Sequence, residues 1–206
     1  MFSQFSPEGF ADLLLRLPAV LWAISFHEFC HGWAAYKLGD RTAAMQGRLS
    51  LNPLDHIDPV GALMLIFFRF GWAKPVPINS RNFRNPRKGI IIVSLAGAAG
   101  NFLTAIVCAL FIRIFPSLMS YGTLTIVLID MLMVNIGLGV FNLIPIPPLD
   151  GSKVLGMLLP PRMMRAYFFL ENYGTWIILI LVFTRILPII MDPIMALILN
   201  LLFFSF

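Results

Sequence analysis

The chain has 206 residues, of which 59% are hydrophobic and only 12% are charged. Soluble domains carry about 25% charged residues, so this composition excludes an ordinary soluble domain and predicts an all-α polytopic membrane protein. A net charge of +5 fits cytoplasmic loops rich in Lys and Arg. We therefore expect the lipid bilayer as a partner and expect no binding of nucleic acid.

Three apolar stretches predict the first three membrane spans. Residues 18–38 form the first, with Pro18 suited to the first turn of a helix and Gly39 suited to its end. Residues 89–113 and 121–144 form the second and the third. Each stretch has about the 20 residues that a helix needs to cross the hydrocarbon core.

The last apolar region, residues 175–201, carries four residues that interrupt an apolar helix: Arg185, Pro188, Asp192 and Pro193. It is therefore one kinked helix, or a helix followed by a shorter segment. We predict four to five membrane-spanning segments, and six at most. They form a single membrane-embedded domain over residues 1–206, with a core at about 18–155 and a C-terminal transmembrane region at about 172–206.

One long polar connection, residues 39–88, separates the first two spans. The alternation of apolar and polar residues in MQGRLSL, 45–51, predicts a strand, and VPIN, 76–79, is a candidate partner. We therefore expect a small β-hairpin in this loop. The apolar run VGALMLIFF, 60–68, is too short to span a bilayer and is predicted to be re-entrant or interfacial.

The distribution of Lys and Arg predicts the topology. Residues 39–88 hold eight of these cations, residues 114–120 hold none, and three more follow in 151–170. The positive-inside rule then places 39–88 and 151–170 in the cytoplasm. The basic run 81–88 is predicted to be a solvated segment that faces lipid headgroups.

The first span contains the sequence His-Glu-Phe-Cys-His, in which His27, Glu28 and His31 carry the chemistry. Residues four apart share a helix face, so His27 and His31 can both bind one metal ion. Glu28 can hold a water molecule there and take its proton. This spacing is the zincin signature. With three Glu and three His in the chain, roughly 10⁻³ chance matches are expected, so the pattern is specific.

Other interpretations of these residues stay open. The histidines could be structural and pack between helices, but an ionisable cluster inside a membrane favours a function. A haem or other redox site does not explain Glu28. A metal transporter predicts a second, symmetric half with a broken helix, and the sequence shows no such duplication. A non-proteolytic membrane metal-binding protein is a further alternative. An inactive protein that binds membrane helices without cutting them is the last, and the intact Glu28 argues against it.

A catalytic zinc usually has three protein ligands, and two residues compete for the third place. His56 is the only other histidine. Asp150 lies in NLIPIPPLDGSK, 142–153, whose three prolines forbid a regular helix. Broken backbone near membrane depth is tolerated where it lines a cavity. The predicted depth of Asp150 matches that of His27 and His31.

The HExxH pattern in an early helix, followed by Asn-x-x-Pro-x-x-Pro-Leu-Asp-Gly in a later one, resembles the site-2 protease family of intramembrane zinc metalloproteases. GRLSLNPLDHIDPVG, 47–61, and GWAKPVPIN, 71–79, resemble the loop that follows the metal helix in compact prokaryotic members. The resemblance covers roughly residues 20–155. A third family element is met by Gly97 and Asn101, although Ala98 replaces the usual proline.

The resemblance implies a zinc metalloendopeptidase in a prokaryotic cell (inner) membrane. It implies that His27, His31 and Asp150 bind one Zn²⁺ per chain and that Glu28 is the general base. The substrate would be a transmembrane protein, cut within or near its membrane segment in regulated intramembrane proteolysis or in clearance of signal-peptide remnants.

Three further polar residues have open roles. By resemblance, Asn142 binds the substrate backbone or the oxyanion, or else it caps a helix or bonds between helices. Asn101 is equally suited to substrate contact and to holding two helices together. His56 is predicted to stabilise a turn or to orient a metal ligand, and the alternatives are a regulatory role or an extra ligand.

Overall fold

The computed structural model describes residues 7–68, 71–120 and 122–204. Within these residues the α-helices are α1 (Pro7–Lys37), α2 (Thr42–Met45), α3 (Pro59–Phe68), α4 (Pro86–Ile114), α5 (Gly122–Asn142), α6 (Asp150–Leu158), α7 (Met164–Phe183) and α8 (Ile186–Phe204). The chain is therefore an all-α protein over its described part.

Four of these helices are long and apolar enough to cross a membrane: α4, α5, α7 and α8. This confirms a polytopic membrane protein. The second and third predicted spans agree with α4 and α5 to within three residues at each end. The long helix α1 is less apolar because it carries the histidines and the glutamate of the HExxH pattern.

The predicted start of the first span is wrong. Pro18 lies inside α1, which already begins at Pro7 among the described residues. A proline removes one hydrogen bond of the helix, but interior prolines are tolerated in membrane helices because neighbouring groups compensate for that loss. The predicted end is confirmed, since α1 stops at Lys37 and Gly39 has a left-handed φ of 105°.

The last apolar region is two helices of similar length. The helices α7 and α8 have 20 and 19 residues and meet at Thr184 and Arg185. The reading as one kinked helix is therefore wrong. Helix α7 starts eleven residues before the predicted 175, because its first half mixes polar and aromatic side chains and is not a continuous apolar run.

The predicted β-hairpin is wrong as well. Within residues 7–68 and 71–120, the β pairing is one isolated antiparallel bridge, between Ile57 and Ala73. Residue Met45 ends the short helix α2, and Gly47 follows with a φ of 66°, so the apolar alternation does not continue an extended chain. The run 60–68 lies in α3, whose ten residues are too few to span a bilayer.

The core lies between α1, α4 and α5, which pack on one another, while α6 packs on α4. Small residues of α4 and branched residues of α5 make up its main apolar cluster: Ala105, Cys108, Ala109, Leu132, Ile136 and Val140. Helix α8 covers this cluster with Met191 and Met195. The middle of α1 is therefore enclosed by two other helices.

Candidate metal centre

Three side-chain atoms converge inside this core. His27 Nε2 lies 3.1 Å from Asp150 Oδ2, and His31 Nε2 lies 2.8 Å from the same oxygen. The two Nε2 atoms are 3.0 Å apart. All three residues are buried. Within the described part of the chain, they form the group of His, Cys, Asp or Glu residues that could hold a metal ion.

His27 is oriented by amides from two other helices. Its Nδ1 lies 2.6 Å from Asn101 Oδ1. Asn101 Nδ2 donates to the Ala23 carbonyl at 3.0 Å and to Asn135 Oδ1 at 2.9 Å. Because the Asn101 nitrogen serves these acceptors, its oxygen faces the imidazole, and His27 Nδ1 is the donor. In the neutral ring, Nε2 then carries a lone pair.

His31 is oriented by the backbone of α4. Its Nδ1 lies 2.7 Å from the Val93 carbonyl oxygen, which can only accept, so Nδ1 carries the hydrogen. The close approach of α4 depends on Gly97. A Cβ atom at this position would lie 2.6 Å from Nε2 of His27 and from Cε1 of His31. Glycine therefore leaves the space that both imidazoles occupy.

Asp150 is presented by a break in the helical backbone. Residues 143–149 form turns after α5, and Asp150 opens α6. The first turn of a helix favours a carboxylate because its N–H groups are unpaired. Lys153 Nζ donates to Asp150 Oδ1 at 2.8 Å. One carboxylate oxygen is thus taken by the lysine, and the other faces the two histidines.

This arrangement fits a metal cation. Two imidazoles with hydrogen on Nδ1 and one carboxylate bring three lone pairs within 3.1 Å of one another. Electron-rich atoms at these distances repel one another unless a cation lies among them. Two nitrogens and one carboxylate oxygen also form a ligand set used by catalytic zinc sites, which keep a fourth position open.

Glu28 follows His27 on α1, and its carboxylate is tied to the loop before α4. The Val76 N–H donates to Glu28 Oε2 at 2.8 Å. Val76 also lines a cavity of about 380 Å³ whose wall includes His31 and Asp150. The base candidate is therefore bonded to a residue in the wall of the cavity that borders His31 and Asp150.

The remaining sequence candidates lie in different surroundings. Asn101 contacts His27 directly, as described above, so its position is that of a group that orients a ligand. His56 is buried, and its Nε2 donates to the Ser50 carbonyl at 2.8 Å, within its own loop. Asn142 ends α5, and its amide donates to the Leu138 carbonyl at 3.0 Å. No described hydrogen bond joins His56 or Asn142 to the three ligand atoms.

Sequence reasoning missed three residues at this centre. Asn135 holds the Asn101 amide in place and is fully buried. An amide in the middle of an apolar span was a usable signal, since such groups need a partner inside the membrane. Lys153 lies within the quoted motif, but nothing in its sequence context indicates which Asp150 oxygen it contacts. The Val93 carbonyl leaves no signal in the sequence at all.

Fold and site together define a polytopic membrane protein with a buried His-His-Asp group and a neighbouring glutamate. The chain is 34% identical over 180 residues to "Putative zinc metalloprotease YwhC" of Bacillus subtilis (strain 168), covering 83% of this chain and 81% of that protein. It is 31% identical over 179 residues to "Putative zinc metalloprotease Rip2" of Mycolicibacterium smegmatis, covering 83% and 67%. No family model matches the chain, and no solved structure gives a significant match.

The chain therefore belongs to the family of zinc metalloproteases that includes YwhC. The Rip2 protein of Mycobacterium tuberculosis (strain H37Rv), also named a zinc metalloprotease, is 28% identical over 168 residues. The names of these relatives fit a metal-binding role for the His-His-Asp group.

Proposed function

We propose that the chain is an intramembrane zinc metalloprotease of the site-2 protease type, which hydrolyses peptide bonds within or near the transmembrane segments of other proteins. The observation that carries the proposal is the convergence of His27 Nε2, His31 Nε2 and Asp150 Oδ2 on α1 and α6, next to Glu28. The relatives named as zinc metalloproteases and the four apolar helices support it.

In this proposal His27, His31 and Asp150 hold one zinc ion per chain. When bound, zinc supplies Lewis acidity, which polarises a peptide carbonyl and acidifies a water molecule. Asn101 and Val93 keep both histidines in the tautomer that presents Nε2. These hydrogen bonds fix the orientation of each ring, as groups bonded to the ligands do in other metal sites.

Glu28 is the general base and later the general acid. The Val76 N–H holds Oε2, which leaves Oε1 to accept a proton from the attacking water. The same carboxylic acid then returns the proton to the leaving amine, so one group serves both halves of the hydrolysis. Asn142 stays a candidate for contact with the substrate backbone.

The substrate would be a single-pass membrane protein or a signal-peptide remnant, because the centre lies among helices that suit a bilayer. The amides of a helical substrate are hydrogen-bonded to one another, so the segment has to unwind before its carbonyl can reach the centre. The cavity of about 380 Å³ beside His31 and Asp150 gives water and the unwound segment a place to enter. The protein would sit in a prokaryotic cell membrane with residues 39–88 in the cytoplasm.

The experiment reconstitutes the purified chain in liposomes with a single-span substrate and maps the cut by mass spectrometry. We expect cleavage inside or beside the apolar segment, loss of cleavage with a chelator, and recovery on addition of zinc. Zinc content should fall in His31→Ala and Asp150→Ala. A chain that conducts zinc across the liposome but leaves the substrate intact would instead be a transporter.

A further inference from the structure

A basic cavity of about 630 Å³ lies between the C-terminal end of α1 and the N-terminal end of α4, and none of His27, His31 and Asp150 lines it. We call it the interface cavity and define it by the cations Lys37, Arg84 and Lys88 that line it. Its volume falls within the range of about 300–1,000 Å³ typical of small-molecule sites. No Asp or Glu is part of its lining.

The three cations are not neutralised within the described part of the chain. None of the ion pairs found there involves Lys37, Arg84 or Lys88. The acidic residue that follows Gly39 is Asp40, whose carboxylate forms hydrogen bonds with neutral groups and none of the described ion pairs with the three cations. It accepts the Thr42 N–H and hydroxyl and the Asn82 amide on Oδ1, and the Asn79 N–H on Oδ2. Three like charges around one cavity favour a bound anion.

Two apolar side chains lie next to these cations, one helical turn further into α1 and α4. Trp33 lies one helical turn before Lys37, with the Lys37 Nζ 5.5 Å from the centre of the indole ring. Ile92 lies one turn after Lys88 and lines the cavity. Both apolar side chains are about half exposed. Tryptophan is enriched at the level of the headgroups, so Trp33 beside Lys37 favours a position of the three cations near that level.

We propose that the interface cavity binds an anionic phospholipid, with its phosphate on Lys37, Arg84 and Lys88 and its acyl chains along Trp33 and Ile92. Basic pockets between membrane helices bind lipid headgroups of this kind. Inorganic phosphate offers the same charge but no acyl chain, so it uses the cations alone. A zwitterionic headgroup adds a positive charge that the three cations repel. The site is separate from the hydrolytic reaction and does not depend on it.

The test measures binding of short-chain phosphatidylglycerol, phosphatidylcholine and inorganic phosphate to the full chain in detergent. Each headgroup-level cation contributes about fivefold in affinity, so the variant Lys37→Gln/Arg84→Gln/Lys88→Gln should bind phosphatidylglycerol roughly 100-fold more weakly. The single variant Arg84→Gln should lose about fivefold. This single variant tests the proposal if the triple variant does not fold. Phosphatidylcholine should bind more weakly than phosphatidylglycerol to the unchanged chain.

The matched control, Lys74→Gln/Arg162→Gln/Arg165→Gln, removes the same charge from exposed positions outside the cavity. It should keep its affinity for phosphatidylglycerol. Ile92→Ser should weaken lipid binding and leave phosphate binding unchanged. Equal losses in both triple variants would overturn the proposal in favour of unspecific charge attraction. Phosphate binding as tightly as the lipid would overturn it in favour of a soluble anion.

Discussion

Two hydrogen bonds determine which nitrogen each histidine offers to the centre. Asn101 accepts from Nδ1 of His27, and the Val93 carbonyl accepts from Nδ1 of His31. Without these partners, each neutral ring could carry its hydrogen on either nitrogen and could rotate. The Asn101 amide and the Val93 carbonyl therefore orient both imidazole rings in the absence of a bound cation.

Replacing Asn101 with leucine should weaken zinc binding. The change removes the acceptor for His27 Nδ1 and frees the ring, and loss of a group that hydrogen-bonds a metal ligand typically costs about 10–100-fold in metal affinity. The measurement is a competition titration against a chelator of known affinity. Thr104→Val on the same helix is the control, because Thr104 bonds to Trp22 and to the Gly100 carbonyl and not to the histidines. Equal zinc affinity in Asn101→Leu and the unchanged chain would contradict this role.

Replacing Gly97 with alanine should remove zinc while leaving the helix intact. The added methyl group would lie 2.6 Å from atoms of both imidazoles, closer than any real Cβ contact allows, so the rings must move apart or α4 must shift. Zinc content per chain, measured after purification by mass spectrometry, should fall well below one. Gly137→Ala is the matched control, since its nearest neighbour is the Met195 side chain at 3.6 Å. A Gly97→Ala chain with full zinc content would refute the packing argument.

At the scale of elements, Asp40 joins the end of α1 to the segment before α4. Its buried carboxylate accepts hydrogen bonds from Thr42, Asn79 and Asn82. Burial alone would raise the pKa of Asp40, but these hydrogen bonds outweigh burial, and the pKa lies below its ordinary value of 3.8. The contacts thus favour the charged form and fix the approach of α4 to α1.

Because the folded pKa of Asp40 is lowered, its stabilisation is fully present above the ordinary value of 3.8 and is lost as the pH falls through the lower folded value. Asp40→Asn should therefore lower stability at neutral pH by about 1–3 kcal/mol, the cost of leaving buried donors poorly paired. Unfolding midpoints measured as a function of pH should fall more steeply below about pH 4 in the unchanged chain than in Asp40→Asn. Asp55→Asn is the control. Parallel pH profiles for the unchanged chain and Asp40→Asn would contradict the assignment.

The elements differ in how far the sequence could predict them. Hydropathy located α4 and α5 because each is one continuous apolar run. It missed the early start of α7, where polar and aromatic residues alternate, and it suggested a strand at 45–51, where a short helix and Gly47 interrupt the chain. The local pattern of apolar and polar residues predicts secondary structure poorly wherever tertiary contacts determine the backbone conformation.

Some residues of the candidate site could likewise be predicted from the sequence, and others could not. His27 and His31 share a helix face through their spacing alone. The residues themselves left Asp150 and His56 as rivals for the third ligand, and the family resemblance implied Asp150. Asn135 and the Val93 carbonyl enter only through the packing of α4 and α5 on α1, which no single segment encodes. The sequence therefore predicted the group that converges, but not what orients it.

At the scale of the whole molecule, the centre lies well inside the bundle. His31 and His27 are six and ten residues before the end of α1 at Lys37, which corresponds to about 9 and 15 Å along the helix. Half of a hydrocarbon core is about 15 Å. The proposed hydrolysis at this depth would require water, and the cavity beside His31 and Asp150 offers space for it.

The central claim is that Glu28 moves the proton in a zinc-dependent hydrolysis inside the membrane. The measurement is the cleavage rate of a transmembrane substrate in liposomes by the unchanged chain and by Glu28→Gln, with zinc content determined for both. The amide keeps the shape of the side chain but cannot accept the proton, so we expect the rate to fall by about 10²–10⁴-fold at equal zinc content. Equal cleavage by both chains would contradict the claim.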